Sequence, residues 1–250
     1  MRARLPATAR AVGRPPTWRR YPLDQVCHTL LRVETADLAL GRQSRTPEDL
    51  EDRLVTTARV RLGGAALGVA LTHLDHRSET LRQKQARMVV GAARAAFGAG
   101  GADGGADEPA DGSSERVDGV SGVWEVPVVV CGDLNSFDAS DLDAAGRDAV
   151  RDFYSSRGWP PPREASLVLE VLRAAGLEDA FALCDCPARD GVRPLPTCWT
   201  HRPLFRIDWV ALGDGRHHAL KARSYRTVVC DASDHRPVLV EVEIVPRAST

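Results

Sequence analysis

A chain of 250 residues is long enough to bury a sizeable core as one domain. Hydrophobic residues make up 43% and charged residues 27%, ordinary globular usage that excludes wholesale disorder. With 33 basic and 34 acidic residues the formal charge is −1, which argues against a broad polyanion-binding surface but leaves room for a local basic groove.

Residues 1–20 are rich in Arg and Pro and predict an unstructured leader. Arg-rich, acid-poor leaders also serve as transit peptides, so organelle targeting stays open. A strand is predicted at 29–33, then a polar loop over 42–52 that contains Pro47. Residues 55–62 alternate as a half-buried strand should, and Gly63-Gly64 turns the chain into an apolar strand at 65–71. That hairpin delivers Thr72 and His73 at its end. Ser78 is a candidate N-cap for a helix of about five turns with Leu81, Gln85, Met88, Val89, Ala92 and Ala96 near one face.

Residues 98–122 hold eight glycines, six acids and one arginine, too little apolar area to offset ordering entropy, so they predict a disordered surface insertion. Residues 126–131 form a continuous apolar run, typical of a strand covered on both faces. A helix over 165–175 closes at Gly176, with Leu167, Val168, Val171 and Leu172 as its buried stripe. Further strands are predicted at 207–212 and 238–245. The pattern is mixed α/β, specifically α+β, in one domain over 21–250.

Six cysteines, Cys27, Cys131, Cys184, Cys186, Cys198 and Cys230, are scattered without a secretory signal. They read as reduced thiols of an intracellular, cytoplasmic protein. Cys184-Asp185-Cys186 invites a soft metal, but no second Cys/His pair stands at zinc spacing. No run approaches the roughly 20 apolar residues that cross a bilayer as a helix.

Four segments carry chemistry: Leu71-Thr72-His73-Leu74-Asp75-His76, Gly132-Asp133-Leu134-Asn135, Arg206-Ile207-Asp208-Trp209 and Ser233-Asp234-His235. Each stands where a strand-like run opens or closes. Asp133 and Asn135, two residues apart, share a face in extended chain, and Gly132 permits a sharp exit. The acid can bind a cation or orient water, and the amide can donate to a phosphate oxygen. An Asx turn at the strand's end accounts for the same residues. His235 needs a carboxylate to act as a general base, and Asp208 can supply it, which leaves Asp234 for a cation. His73 suits developing phosphoryl charge, with Asp75 or His76 orienting it or merely capping the loop before Ser78. His28, His201, His217 and His218 take surface roles, and Trp199 and Trp209 packing roles.

In this order the four segments resemble the endonuclease/exonuclease/phosphatase superfamily, and Gly176-Leu177-Glu178-Asp179-Ala180-Phe181 resembles that family's link between helix and hairpin. The resemblance implies a four-layer α/β/β/α sandwich with the site at one end of the sheets. It implies His235 as general base, Asp208 as its orienting partner, and Asp234, Asp133 and Asn135 around a Mg²⁺ ion, or Mn²⁺ in its place. Asp133 and Asn135 also position the nucleophile and the phosphate, and His73 stabilises the phosphoryl oxygens. The expected activity is hydrolysis of a phosphodiester or phosphomonoester by a monomer acting on nucleic acid, a lipid head group or a small phosphate ester. The family's front, with a metal-site asparagine and a glutamate ligand, has no counterpart here, since Glu34 lies in a different context. The chain therefore reads as N-terminally incomplete, and the alternative is an impaired member that serves as a binding module.

Overall fold

A computed structural model describes residues 33–39, 53–62, 64–98, 123–159, 161–184, 193–198, 204–230 and 233–247. The predicted leader and nearly all of the predicted insertion lie outside them, as do His28, Trp199 and His201.

The predicted hairpin is present as β2 (Leu54–Leu62) and β3 (Ala65–His73), antiparallel neighbours with Gly64 at φ 95° in the turn. A strand β1 (Val33–Ala39) pairs antiparallel with β2; it begins where the predicted strand at 29–33 was to end. β3 runs two residues past its expected limit, because Thr72 and His73 keep ladder pairing with β4 (Val128–Asp133). β6 (Asp208–Gly213) follows on the other side of β4, and the two-residue β5 (Glu178–Asp179) closes the edge, giving the order β1-β2-β3-β4-β6-β5. A second sheet pairs β7 (His218–Thr227) with β8 (Val238–Pro246). β7 escaped the sequence reading; Lys221, Arg223 and Arg226 break its apolar text.

Alternation along β4 and β6 sorts side chains onto two faces. Val128, Val130, Trp209 and Ala211 join one core, built with α1 (Glu79–Phe97) and α3 (Leu167–Ala174). Val129, Val210 and Leu212 join another, completed by Leu220, Ala222, Val240 and Val242 of the second sheet. Helices, the six-stranded sheet and the two-stranded sheet thus form three stacked layers of the expected sandwich, and this is a mixed α+β fold. Leu239, Glu241 and Glu243 on β8 are exposed, so among the described residues no helix covers that side.

Ser78 does cap α1, its side chain accepting the Leu81 N–H at 3.2 Å. The buried face is rotated from the expected one: Arg82, Gln85, Ala86, Val89, Ala93 and Phe97 are buried, and Met88 is exposed. Gln85 turns inward because its carbonyl accepts the Asp75 N–H at 2.8 Å. α3 is capped by Ser166 and buries Val168 and Leu172 of the predicted stripe, with Leu169 buried in addition and Val171 packed against the core. Between them lies α2 (Ala144–Ser156), a helix with no counterpart in the sequence reading, capped by Asp143 and burying only Val150. A one-turn α4 (Ala180–Leu183) leads to Cys184. Cys131, Cys198 and Cys230 are free thiols, as expected, but Cys184 is disulfide-bonded, against the expectation of a reduced thiol. No described helix is long and apolar enough to cross a membrane.

Candidate active site

Three adjacent strands bring three of the predicted side chains to one sheet end. His73 is the parallel partner of Asp133, and Asp133 is the antiparallel partner of Asp208. Register alone therefore lines up the last residues of β3 and β4 with the first of β6. The close approach needs Gly132, which sits at φ 138°, where a Cβ would lie 1.8 Å from the carbonyl oxygen of Thr72.

His235 reaches this row from the loop before β8. Its backbone bridges Cys198, and the Arg236 N–H donates to the Thr197 carbonyl at 2.7 Å. Thr197 is fully buried, and its hydroxyl oxygen accepts the N–H groups of Ile207 (3.1 Å) and Asp208 (3.2 Å), which ties both loops to the start of β6. His235 Nδ1 lies 2.8 Å from Asp208 Oδ2, and its Nε2 lies 3.9 Å from Asp133 Oδ2. On the opposite side His73 Nε2 lies 3.3 Å from the same Asp133 oxygen. Asp133 is thus held between two imidazoles, and the predicted pairing of Asp208 with His235 is the shortest of these contacts.

The electrostatics follow from partial burial of like charges. Burial pushes the Asp133 carboxyl up to about 6, helped by the neighbouring Asp208 carboxylate and opposed by the Asn135 N–H, His235 and Arg53. The hydrogen bond to Asp208 pushes His235 up to about 11, with a smaller contribution from Cys198 and against the cost of burial. Unaided by a cation, His235 is an imidazolium at neutral pH.

Asn135 does not simply repeat the direction of Asp133. β4 ends at Asp133 and Asn135 turns to φ 49°, so its N–H returns to Asp133 Oδ1 (2.9 Å) and its Nδ2 donates to the Leu74 carbonyl (2.9 Å). The side chain still lines the cleft, now as the clasp between the ends of β3 and β4. Asp234 is not brought into the cluster. It is exposed, its carboxylate accepts the Ser233 hydroxyl at 3.2 Å, and it does not line the cleft. Asp75 caps the loop, accepting the Arg77 and Ser78 N–H groups at 2.8 and 2.7 Å, while His76 meets Arg53 and Arg77. Trp209 is buried as expected and donates to the Ser136 carbonyl at 2.7 Å, which steadies the turn after Asn135.

The cleft above these groups measures about 1080 Å³. Its floor includes Asp133, Asn135, Cys198 and His235, with His73 at the rim; its walls carry Arg53, Arg77, Arg82, Arg157 and Arg163 and several aromatic rings. Thr197, Cys198 and this basic, aromatic wall were not foreseen from sequence. Arg53 lay between the loop predicted over 42–52 and the strand predicted over 55–62, and Arg157 caps the end of α2, a helix that the apolar pattern hid.

Asp133, Asp208 and His235 offer ligand atoms within 4.8 Å of one another. Two carboxylates at that spacing, one resisting its own ionisation, fit a hard divalent cation, whose charge relieves the repulsion. The donor set does not choose among such cations.

No protein-family model matches the chain, and no curated protein matches it in sequence. Its fold does have counterparts among solved structures. A mannosyl-6-phosphatase of Bacteroides thetaiotaomicron superposes at TM-score 0.51 with 15% identity over 86% of this chain and 67% of its own. An endonuclease/exonuclease/phosphatase protein of Beutenbergia cavernae gives 0.51 with 20% identity over 84% of this chain and 44% of its own. The human Nocturnin catalytic domain with bound sulfate gives 0.50 with 16% identity over 86% and 60%. The chain therefore has the endonuclease/exonuclease/phosphatase fold, and it spans about two thirds or less of the length of these proteins.

Proposed function

We propose that this chain is a metal-assisted phosphoester hydrolase in which His235 handles the proton of the attacking water. The observation that carries this reading is the contact of His235 with Asp208 beside Asp133, at the end of three paired strands. The phosphatase and phosphoesterase-fold neighbours support the same class of chemistry.

Asp208 accepts from Nδ1 and fixes the ring so that Nε2 points to the cleft side of Asp133. Raised basicity makes His235 a strong proton acceptor once neutral, and positive charge brought near Asp133 opposes its protonation. A divalent cation, Mg²⁺ or Mn²⁺, would be held by Asp133 and the side-chain carbonyl of Asn135, with Asp234 as an outer donor; bound, it supplies Lewis-acid polarisation of the phosphoryl group. His73, half exposed at the rim, donates from Nε2 to a non-bridging oxygen as charge builds. The arginine-lined walls attract the anionic substrate. We place the protein in the intracellular compartment as a monomer, on the free thiols of Cys131, Cys198 and Cys230 and the sequence reading.

The test is hydrolysis of bis(p-nitrophenyl) phosphate by the full chain with Mg²⁺. Turnover that disappears in both Asp133→Ala and His235→Ala supports the assignment. Turnover undiminished in either variant overturns it, and Mg²⁺ binding without turnover points to the binding-module alternative.

A further inference from the structure

We infer that the cleft wall formed by Phe153, Tyr154, Arg157 and Trp159 is a subsite for a flat, π-rich group carried by the phosphoester. The inference rests on the hydrolase reading and narrows its substrate.

Aromatic residues are only 5% of the chain, yet five of them, Phe137, Phe153, Tyr154, Trp159 and Phe205, line this one cleft. They divide into two groups. Phe205 is buried and packs with Leu142, Val150 and Ile207 as a small core. It bridges Cys198, which bridges His235, so this core backs directly onto the proton-handling residue. Phe153 and Tyr154 rise from it, 5.5 and 6.4 Å from the Phe205 ring, and carry Trp159 at the mouth.

Trp159 is not a casual surface residue. Its backbone N–H donates to the Tyr154 carbonyl at 3.0 Å, and its ring meets Phe153 (5.8 Å) and Tyr154 (5.6 Å) edge to face, while 43% of the residue stays exposed. The Arg157 guanidinium lies 4.6 Å from the Phe153 ring centre and 5.3 Å from that of Trp159. An indole held by two ring contacts, with a cation over one face and 43% of the residue exposed in the wall of a cleft, suits stacking with another planar ring.

Competing ligands fit less well. A lipid tail favours an unbroken apolar surface, and Arg77, Arg157 and Arg163 interrupt this one. A sugar needs acceptors for its hydroxyls, and the Glu79 carboxylate in this cleft already receives Arg82, Ser136 and the Leu167 N–H. A planar group joined to a charged phosphate uses both the rings and the arginines.

Calorimetric titration of the full chain in Mg²⁺ tests this without requiring turnover. Adenosine 5′-monophosphate and phenylphosphonate are compared with ribose 5-phosphate and methylphosphonate. The flat ligands should bind about tenfold more tightly than their non-planar counterparts, within the usual range of base–aromatic stacking. Trp159→Ala should erase that advantage, Trp159→Phe should keep part of it, and methylphosphonate affinity should hold in both. A nucleobase is the natural occupant if adenosine monophosphate outbinds phenylphosphonate, and a simple aryl ester if it does not. Equal binding of flat and non-planar ligands, or a uniform loss in Trp159→Ala, overturns the subsite while the hydrolase reading stands on its own assay. No binding by any of the four ligands likewise overturns the subsite, and turnover of the phosphodiester decides the hydrolase reading separately.

Discussion

The two sides of the cleft are built in different ways. On the sheet side, His73, Asp133 and Asp208 stand opposite one another because backbone register puts them there. On the loop side, His235 is placed by two isolated bridges, the buried Thr197 hydroxyl and the charge of Asp208. Their histidines show the consequence: the His73 side chain is 56% exposed with a 3.3 Å contact, whereas His235 is 28% exposed with a 2.8 Å one. Sheet register fixes where a side chain starts; convergent side-chain contacts fix where its reactive atom ends.

Removing the groups where the two sides meet should have the largest effect. Asp133→Ala and His235→Ala are each expected to lower kcat by roughly 10²–10⁴-fold, the range of positioned acid–base catalysis. His73→Ala, which loosens only the exposed side, should fall near the lower end of that range in the same assay. A smaller deficit for His235→Ala than for His73→Ala would reverse the assignment of base and phosphate donor.

Gly132→Ala attacks the register itself. The new methyl meets a backbone oxygen at 1.8 Å in a left-handed conformation, so β3 and β4 cannot keep their pairing. A loss of about 3 kcal/mol or more in urea unfolding is expected. A neutral result would show that the sheet end is pliable and that register does not set the site.

Asp208→Asn isolates the contact that orients the loop side, and a loss of roughly 10–100-fold in kcat is expected from a misdirected imidazole. It also changes how stability responds to pH in EDTA-treated protein. His235 is raised from 6.5 to about 11 in the folded chain, so its stabilising contribution is full below pH 6.5 and is lost as pH rises towards 11. Over that window the unfolded chain releases a proton that the folded chain keeps, a slope of at most about 1.4 kcal/mol per pH unit. Asp133 acts lower down. Its raised value makes ionisation cost stability between pH 3.8 and about 6, again destabilising as pH rises. Unfolding midpoints measured from pH 6.5 to 9 should decline in the parent chain and flatten in Asp208→Asn.

Sequence made the sheet side legible because register there is local: the hairpin and the apolar run before Gly132 bring His73 and Asp133 to neighbouring strand ends, although β3 and β4 each run two residues past the predicted limit. The pairing of Asp208 with His235 was also legible, though only from the order of motifs. The loop side was not. Thr197 and Cys198 act through buried contacts between segments remote in sequence, and no periodicity marks them. The buried face of α1 was right at Gln85 and Val89 but missed Arg82, which turns inward to pair with Glu79 and which a hydrophobic count scores as surface. The mouth of the cleft stayed hidden with α2, a helix that buries one residue along its length.

Asp234 marks the limit of that legibility, and its replacement should have the smallest effect. It adjoins His235 in sequence, yet its carboxylate turns to Ser233 and away from the Asp133, Asp208 and His235 cluster. An exposed acid outside that cluster adds only screened charge to a cation at Asp133. Asp234→Ala should therefore weaken Mg²⁺ binding by no more than a few-fold at 0.15 M salt, and the deficit should shrink as salt rises. A loss as large as that of Asp133→Ala, persisting in high salt, would show that the 233–237 loop swings inward when metal binds. The loop side of the cleft would then be completed by the cation rather than by the fold.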